Sequence, residues 1–355
     1  LWWPNGQGAQ PLYILTCRLV DAGGRLQDEQ TRTLGFKHIT WQACEGAPAG
    51  ADPWVCVVNG QPLFLQGINW TPIRPNYADT TEADYRKLLE MYRALGCNVL
   101  RVWGGAVLEK ACFYRLCDEM GFLLWQEFPL SSSGLDNWPP DDAASIAALE
   151  TIARSYIERR QHHVSLFMWC GGNELQQGLD GGKEGVGKPL DGQHPLLGRL
   201  AQVAAEMDPG RRFVATSSLG PRFSASPEDF GKGLHWDVHG PWRVEGDLEQ
   251  WSDYWANVDA LFHSEVGAAG ASSPEVIRKY SDGLPLMPAS GENPLWRRTL
   301  WWVEWADFLH ETGNQTETLE EFVAWSQSRQ AKALECVARS LKAKTPNMIL
   351  FRLSR

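Results

Sequence analysis

The hydrophobic pattern of this chain changes period near residue 50. Between residues 11 and 42, short runs alternate polar and apolar positions, as in Tyr13-Ile14-Leu15, Arg18-Leu19-Val20 and His38-Ile39-Thr40, with glycine-rich breaks between them. Such alternation predicts antiparallel strands. The stretch is too short to close a β-sandwich, which takes roughly 100 residues, so residues 1–45 read as the closing remnant of an immunoglobulin-like sandwich. Ala47 to Asp52 reads as a linker or exposed turn.

From Trp54 onward, short apolar runs alternate with longer helical patterns. Strands are expected at Leu63–Ile68, Val99–Trp103, Phe122–Phe128, Ser165–Cys170, Phe213–Ser217, Trp236–His239, Leu261–Ser264 and Ile349–Leu353. Helices are expected at Glu82–Leu95, Leu108–Met120, Asp141–His162, Leu196–Met207, Leu248–Val258 and Leu319–Leu341, with Gly96 and Gly121 as stops. Eight strands with intervening helices predict an α/β fold, a (β/α)8 TIM barrel over residues 46–355, preceded by the partial β-sandwich. A cut at the last strand is left open by the ending Ile349 to Arg355. A doubly wound sheet is disfavoured, because no Gly-x-Gly-x-x-Gly turn follows an early strand. The connections Gln176–Pro195 and Gly267–Arg297 are long enough to expect functional or mobile loops.

Composition narrows the partners. The net charge of -10 comes without any basic block, which argues against nucleic acid. No apolar stretch is long enough to cross a bilayer. The eight cysteines form neither a CxxC pair nor a zinc spacing, so free thiols are expected, mostly buried. With no basic-then-apolar leader at the start, that favours a reducing, cytoplasmic compartment. Tryptophan is the outlier at 18 residues, several beside Gly, Asn or Pro at strand ends, as in Asn69-Trp70 and Trp103-Gly104. Flat rings with a polar edge suit both core packing and the faces of sugars.

The chemistry concentrates at strand ends, which in this barrel face one mouth. Two apolar runs are each followed by a carboxylate, in Trp169-Cys170-Gly171-Gly172-Asn173-Glu174 and Phe262-His263-Ser264-Glu265-Val266-Gly267. An acid at the exit of a buried strand is costly unless it is paired or used. Two of them suggest the carboxyl pair of glycoside hydrolysis. Arg101, Trp103, Glu127 and His239 fall at other strand exits. Glu127 is expected to order the mouth rather than touch the reacting bond, and Trp169 to fill the core. Trp70 and Trp103 divide evenly between packing and sugar contact, and His239 leans to the site. His162 and His163 are expected to serve a helix C-terminus.

Several segments occur in order: Asn69-Trp70-Thr71-Pro72, Arg101-Val102-Trp103-Gly104-Gly105, Cys117-Asp118-Glu119-Met120-Gly121, Trp125-Gln126-Glu127-Phe128, Gly172-Asn173-Glu174 and Ser264-Glu265-Val266-Gly267. On these the chain resembles family 2 glycoside hydrolases, within them the β-mannosidase branch, from residue 1 to about Gly267. The opening Leu1-Trp2-Trp3-Pro4-Asn5-Gly6 resembles the entry to that family's immunoglobulin-like domain. The resemblance implies a retaining, exo-acting β-mannosidase that needs neither metal nor organic cofactor, with a β-linked oligosaccharide or glycoside as substrate and no nucleic-acid or membrane partner. It implies Glu174 as general acid/base, Glu265 as nucleophile, Asn173 on the sugar 2-hydroxyl and Arg101 beside Glu265, with Trp70, Trp103 and His239 as further candidate substrate contacts.

Three departures qualify the expectation. The family's first, jelly-roll-like domain has no counterpart in this sequence, the end lacks the aromatic-rich eighth strand, and residues 129–140 differ from the usual mannosidase loop. The alternatives are therefore a retaining β-glycosidase or endo-glucanase of other specificity, and a carbohydrate-binding barrel with little turnover. The oligomeric state is not legible from the sequence.

Overall fold

A two-residue turn decides where the barrel begins. Asn59 and Gly60 both have positive φ, 51° and 84°, the conformation that joins a tight hairpin and that glycine and asparagine tolerate best. That hairpin claims Gln61–Leu63 as the partner of Val55–Val58. The expected first barrel strand is thereby split, and the strand that enters the barrel starts at Gln66, where the Asn98 side chain and backbone bond the Gln66 backbone.

The structure is a computed structural model that describes residues 1–131, 137–244, 246–297, 299, 303–313, 318–344 and 348–352, the last five by backbone. Strands β1 (Tyr13–Val20) and β2 (Leu26–Leu34) form an antiparallel hairpin. Strands β3 (Ile39–Gln42), β4 (Val55–Val58) and β5 (Gln61–Leu63) form a second small sheet. Because β3 precedes residue 45 and β4 follows it, one sheet spans the expected domain boundary. Its inner face floors the barrel: Trp54 stacks on Phe262 at 4.3 Å and lies 6.3 Å from Trp125.

The barrel strands are β6 (Gln66–Trp70), β7 (Val99–Val102), β8 (Leu123–Glu127) and β9 (Leu166–Cys170) in the first half. After a lip hairpin, β10 (Gln176–Gly178) with β11 (Gly187–Pro189), come β12 (Arg212–Val214), the two-residue β13 (Gly220–Pro221), β14 (His235–His239), β15 (Phe262–Gly267) and β16 (Met348–Arg352). Parallel ladders run in the order β12-β9-β8-β7-β6-β16-β15-β14, with β13 antiparallel to β14. The backbone of β16 pairs with both β15 and β6, so the eighth strand joins the two halves of the barrel. Residues 353–355 and part of the 129–140 loop lie outside the described residues.

Among the described residues, eight α-helices flank the barrel: α1 (Glu82–Ala94), α2 (Ala111–Met120), α3 (Ala143–Arg160), α4 (Pro195–Met207), α5 (Leu248–Asn257), α6 (Pro274–Lys279), α7 (Trp305–Thr312) and α8 (Leu319–Lys344). Their boundaries follow capping chemistry. A Thr81/Asp84 capping box opens α1, Asp142 opens α3, and left-handed Gly121 ends α2. Helix α2 starts three residues later than expected, because Lys110 before it has an extended backbone. The connection Gly267–Arg297, expected as a loop, holds the short helix α6, and with α7 and α8 it forms a small core around Ile277, Trp296, Phe308 and Phe322. Among the described residues no helix is long and apolar enough to cross a membrane.

Candidate active site

Arg101 organises the barrel mouth. It is fully buried on β7 and has four acceptors: Nε donates to Glu127 Oε1 at 2.8 Å, Nη1 to Asn69 Oδ1 at 2.6 Å and Glu265 Oε2 at 3.0 Å, and Nη2 to Asn173 Oδ1 at 2.6 Å. A buried cation is tolerated only when paired and hydrogen-bonded this fully. Burial pulls the guanidinium's pKa down, but Glu127 and Glu265 outweigh it and raise it overall. For Glu127 burial dominates and pushes the carboxyl up, against the pull of Arg101 and of the Gly104 N–H at 2.7 Å.

The second half of the site is built by close backbone approaches. A Cβ on Gly171 would lie 2.2 Å from the Ala215 carbonyl oxygen, so only glycine lets β9 pass this near to the stretch after β12. Glu174 follows with a left-handed backbone, φ 53°, a conformation that costs a non-glycine residue of order 1 kcal/mol or more. Three bonds hold the segment: Asn173 N to Leu130 O at 2.9 Å, Glu174 N to Ser217 O at 2.5 Å and Leu175 N to Thr216 Oγ1 at 3.0 Å. Strain held in place this way marks functional sites.

Glu174, His239 and Glu265 converge. His239 Nδ1 lies 2.9 Å from Glu174 Oε1 and 3.9 Å from Glu265 Oε2, and one ligand atom from each of the three falls within 4.8 Å of the others. Glu265 is buried, while 19% of the Glu174 side chain is exposed, so the carboxyl that follows β9 is the one open to the mouth. The other oxygen of Glu265 accepts from Trp242 Nε1 at 2.7 Å. His239 Nε2 lies 2.8 Å from Ser217 Oγ, which in turn donates to Ser264 Oγ at 3.0 Å. Two carboxylates and an imidazole could chelate a metal, yet both oxygens of Glu265 and Nδ1 of His239 already have protein partners here.

The sequence-derived candidates sort clearly. Glu174, Glu265, Asn173, Arg101 and His239 meet at the mouth. Trp103 sits half-buried at the rim, its ring where a side chain on Gly105 would be. Trp70 does not join them. It faces the helix layer, with Nε1 on Glu109 at 2.9 Å and its ring 4.6 Å from Phe113, because the strand's alternation turns Asn69 inward and Trp70 outward. Sequence reasoning placed Asn69 at a strand end without giving it a role, and passed over Ser217 and Trp242. Trp242 had a signal, Gly240-Pro241-Trp242 straight after a strand, whereas Ser217 had none. His163 is also not a helix-end partner: its ring pairs with Asp118 at 2.6 Å.

Comparison with known proteins agrees with this fold. Residues 54–212 match the family model for the glycosyl hydrolases family 2 TIM barrel domain. The mannosylglycoprotein endo-beta-mannosidase of Lilium longiflorum is 26% identical over 347 residues, 92% of this chain and 33% of that protein. The beta-mannosidase of Bos taurus is 31% identical over 295 residues, 79% of this chain and 32% of that protein. The chain thus spans about a third of the length of these relatives. In fold it matches the crystal structure of a beta-D-mannosidase from Dictyoglomus thermophilum with a TM-score of 0.76 at 24% identity, covering 99% of this chain and 42% of that one. An exo-chitosanase from Amycolatopsis orientalis matches at a TM-score of 0.63 and 17% identity, over 99% of this chain and 40% of that one.

Proposed function

Starting from a chain that carries the TIM barrel domain of glycoside hydrolase family 2 and is related to that family's β-mannosidases, we propose that it hydrolyses β-mannosidic bonds with retention of configuration, Glu265 acting as nucleophile and Glu174 as general acid/base. The observation that carries this is the closeness of the two carboxylates, whose nearest ligand oxygens lie within 4.8 Å. A retaining pair stands about 5–5.5 Å apart, whereas an inverting pair needs roughly 6.5–9.5 Å to admit a water.

Each acid has surroundings suited to its role. Glu265 must stay ionised, and it accepts from Arg101 and Trp242. Glu174 must carry a proton. His239 bridges the site, with Nε2 2.8 Å from Ser217 Oγ and Nδ1 2.9 Å from Glu174 Oε1, so its imidazole is placed to share a proton with Glu174 when that proton is needed by the substrate. In the first step Glu265 attacks the anomeric carbon while the bond from that carbon to the leaving oxygen breaks, and that oxygen takes the proton of Glu174. In the second step water attacks the same carbon, Glu174 takes the water's proton, and Glu265 departs as carboxylate.

The test is a panel of aryl β-mannoside, β-glucoside, β-galactoside and β-glucosaminide, together with an internally linked β-mannoside, since the lily relative is named as endo-acting. Turnover should be highest on a mannoside and should fall by about 10³-fold or more in Glu265→Ala and Glu174→Ala. Azide should rescue Glu265→Ala by forming the α-mannosyl azide. Net inversion in the unmodified chain would end the proposal.

A further inference from the structure

Arg329 on α8 has none of the chemistry above, yet its guanidinium is buried among groups that hold the Trp242 segment. Its Nη2 donates to the Gly246 carbonyl at 2.7 Å, Nε stands 3.4 Å from Glu304 Oε2, and Nη1 bonds Glu311. The side chains of Arg329 and Glu304 are each 2% exposed. Glu304 stands at the start of α7 with a left-handed backbone, φ 51°, and burial pushes its carboxyl up against the pull of Arg329 and of the Val244 backbone. Val244 and Gly246 lie two and four residues beyond Trp242. On the near side, the Gly267 N–H bonds the Pro241 carbonyl at 3.1 Å and the Gly240 N–H bonds the Glu265 carbonyl at 2.8 Å. The indole that donates to Glu265 is therefore clamped by strand β15 on one side and by a buried ion pair on the other.

Burying a charged pair away from the site is weak evidence for stability alone, since desolvation offsets most of its attraction. In some proteins such a pair serves instead to fix one arrangement among several. Here the arrangement fixed is the segment that bears Trp242, and a donor displaced by about 1 Å no longer makes its hydrogen bond.

We infer that Arg329 and Glu304 are positioning residues for the reaction: they act through Val244 and Gly246 to keep the Trp242 indole on Glu265. The inference rests on the functional reading above for its kinetic consequence, but not for its structural one. Removing the donor leaves Glu265, which otherwise faces Arg101, His239 and Glu174, less stabilised as an anion. The acid limb of kcat/KM, which follows ionisation of the nucleophile in the free enzyme, then moves to higher pH.

The experiment is a double-mutant cycle with Arg329→Met and Trp242→Phe, and Arg329→Lys as the conservative variant. Trp242→Phe should lower kcat at least 10-fold and move the acid limb upward. Arg329→Met should do the same in smaller measure, the double variant should lose little more than Trp242→Phe alone, and Arg329→Lys should recover part of the loss. Multiplying losses, or a lowered Tm with the acid limb unmoved, would overturn the inference. A second readout is independent of turnover. The Trp242 indole N–H resonance, assigned by its absence in Trp242→Phe, should lose its hydrogen-bonded shift and its protection from exchange in Arg329→Met. An unchanged resonance would overturn the inference even if the chain hydrolysed no glycoside at all.

Discussion

Arg101 joins the two halves of the mouth, since one guanidinium reaches residues on β6, β8 and β15 and beyond β9. Removing one partner of a buried charge pair costs about 3–5 kcal/mol. Arg101→Met strands both Glu127 and Glu265, so it should fail by misfolding or lose nearly all turnover. Arg101→Lys keeps the charge but cannot serve four acceptors. It should fold and still lose about 10²-fold or more in kcat/KM, measured on an aryl β-mannoside. His239 offers a finer test, because its hydrogen bond is to Glu174, the proposed acid, rather than to Glu265, the proposed nucleophile. His239→Leu should harm substrates with poor leaving groups about 10-fold more than dinitrophenyl glycosides, whose departure needs no proton. Equal losses on both would show that His239 does not support the proton of Glu174.

At the scale of elements, the barrel tolerates few side chains where strands meet. A Cβ on Gly67 would stand 1.7 Å from the Val99 carbonyl oxygen within the β6–β7 ladder. Gly67→Ala must push two buried strands apart, and β7 carries Arg101. The variant should lose several degrees of Tm and most of its turnover together, as calorimetry and an aryl glycoside assay would record. Gly240 is constrained differently: its φ is 78°, and a Cβ would meet the Trp242 ring at 3.0 Å. Gly240→Ala should therefore disturb Trp242 more than stability. The same elements explain what could be read from the sequence. Period and glycine stops identified the barrel strands and most helices, because buried parallel strands are continuous apolar runs. The Asn59-Gly60 hairpin was missed, since a run of apolar residues on either side of it resembles one strand. The two carboxylates were legible because a polar residue directly after such a run is expensive. Trp70 was misread because its neighbour Asn69, one step along the pleat, was the inward residue. Ser217 and the ion pair of Arg329 and Glu304 were invisible, since their partners are 22 and 25 residues away and no local pattern marks them.

The whole molecule stores part of its pH sensitivity next to the site rather than in it. His263 is two residues before Glu265, but it is buried on the other face of β15, with its ring 5.0 Å from Trp255. Burial, the dominant cause, lowers its pKa to about 3 against the usual 6.5. Above pH 6.5 the ring is neutral in both folded and unfolded chains, so it has no effect on stability. Between 6.5 and 3 the unfolded chain binds a proton that the folded one refuses, so stability falls as pH falls, by about 1.4 kcal/mol per unit at most. Asp237 works in the opposite sense: burial raises it to about 6, so the folded chain gains a proton first as the solution is acidified. The wild-type slope sums opposing contributions, these two among others such as the raised Glu304 and the lowered His162, and a variant is needed to separate out that of His263. His263→Leu keeps an apolar side chain against Trp255 and removes the titration. Denaturant unfolding should place the variant within about 1–2 kcal/mol of the parent at pH 7.5. At pH 4.5 the balance should shift in the variant's favour by about 2 kcal/mol relative to that difference. Parallel stability profiles for the two chains from pH 7.5 to 4.5 would mean that the imidazole takes up its proton in the folded state and is not held neutral by the helices packed on β15.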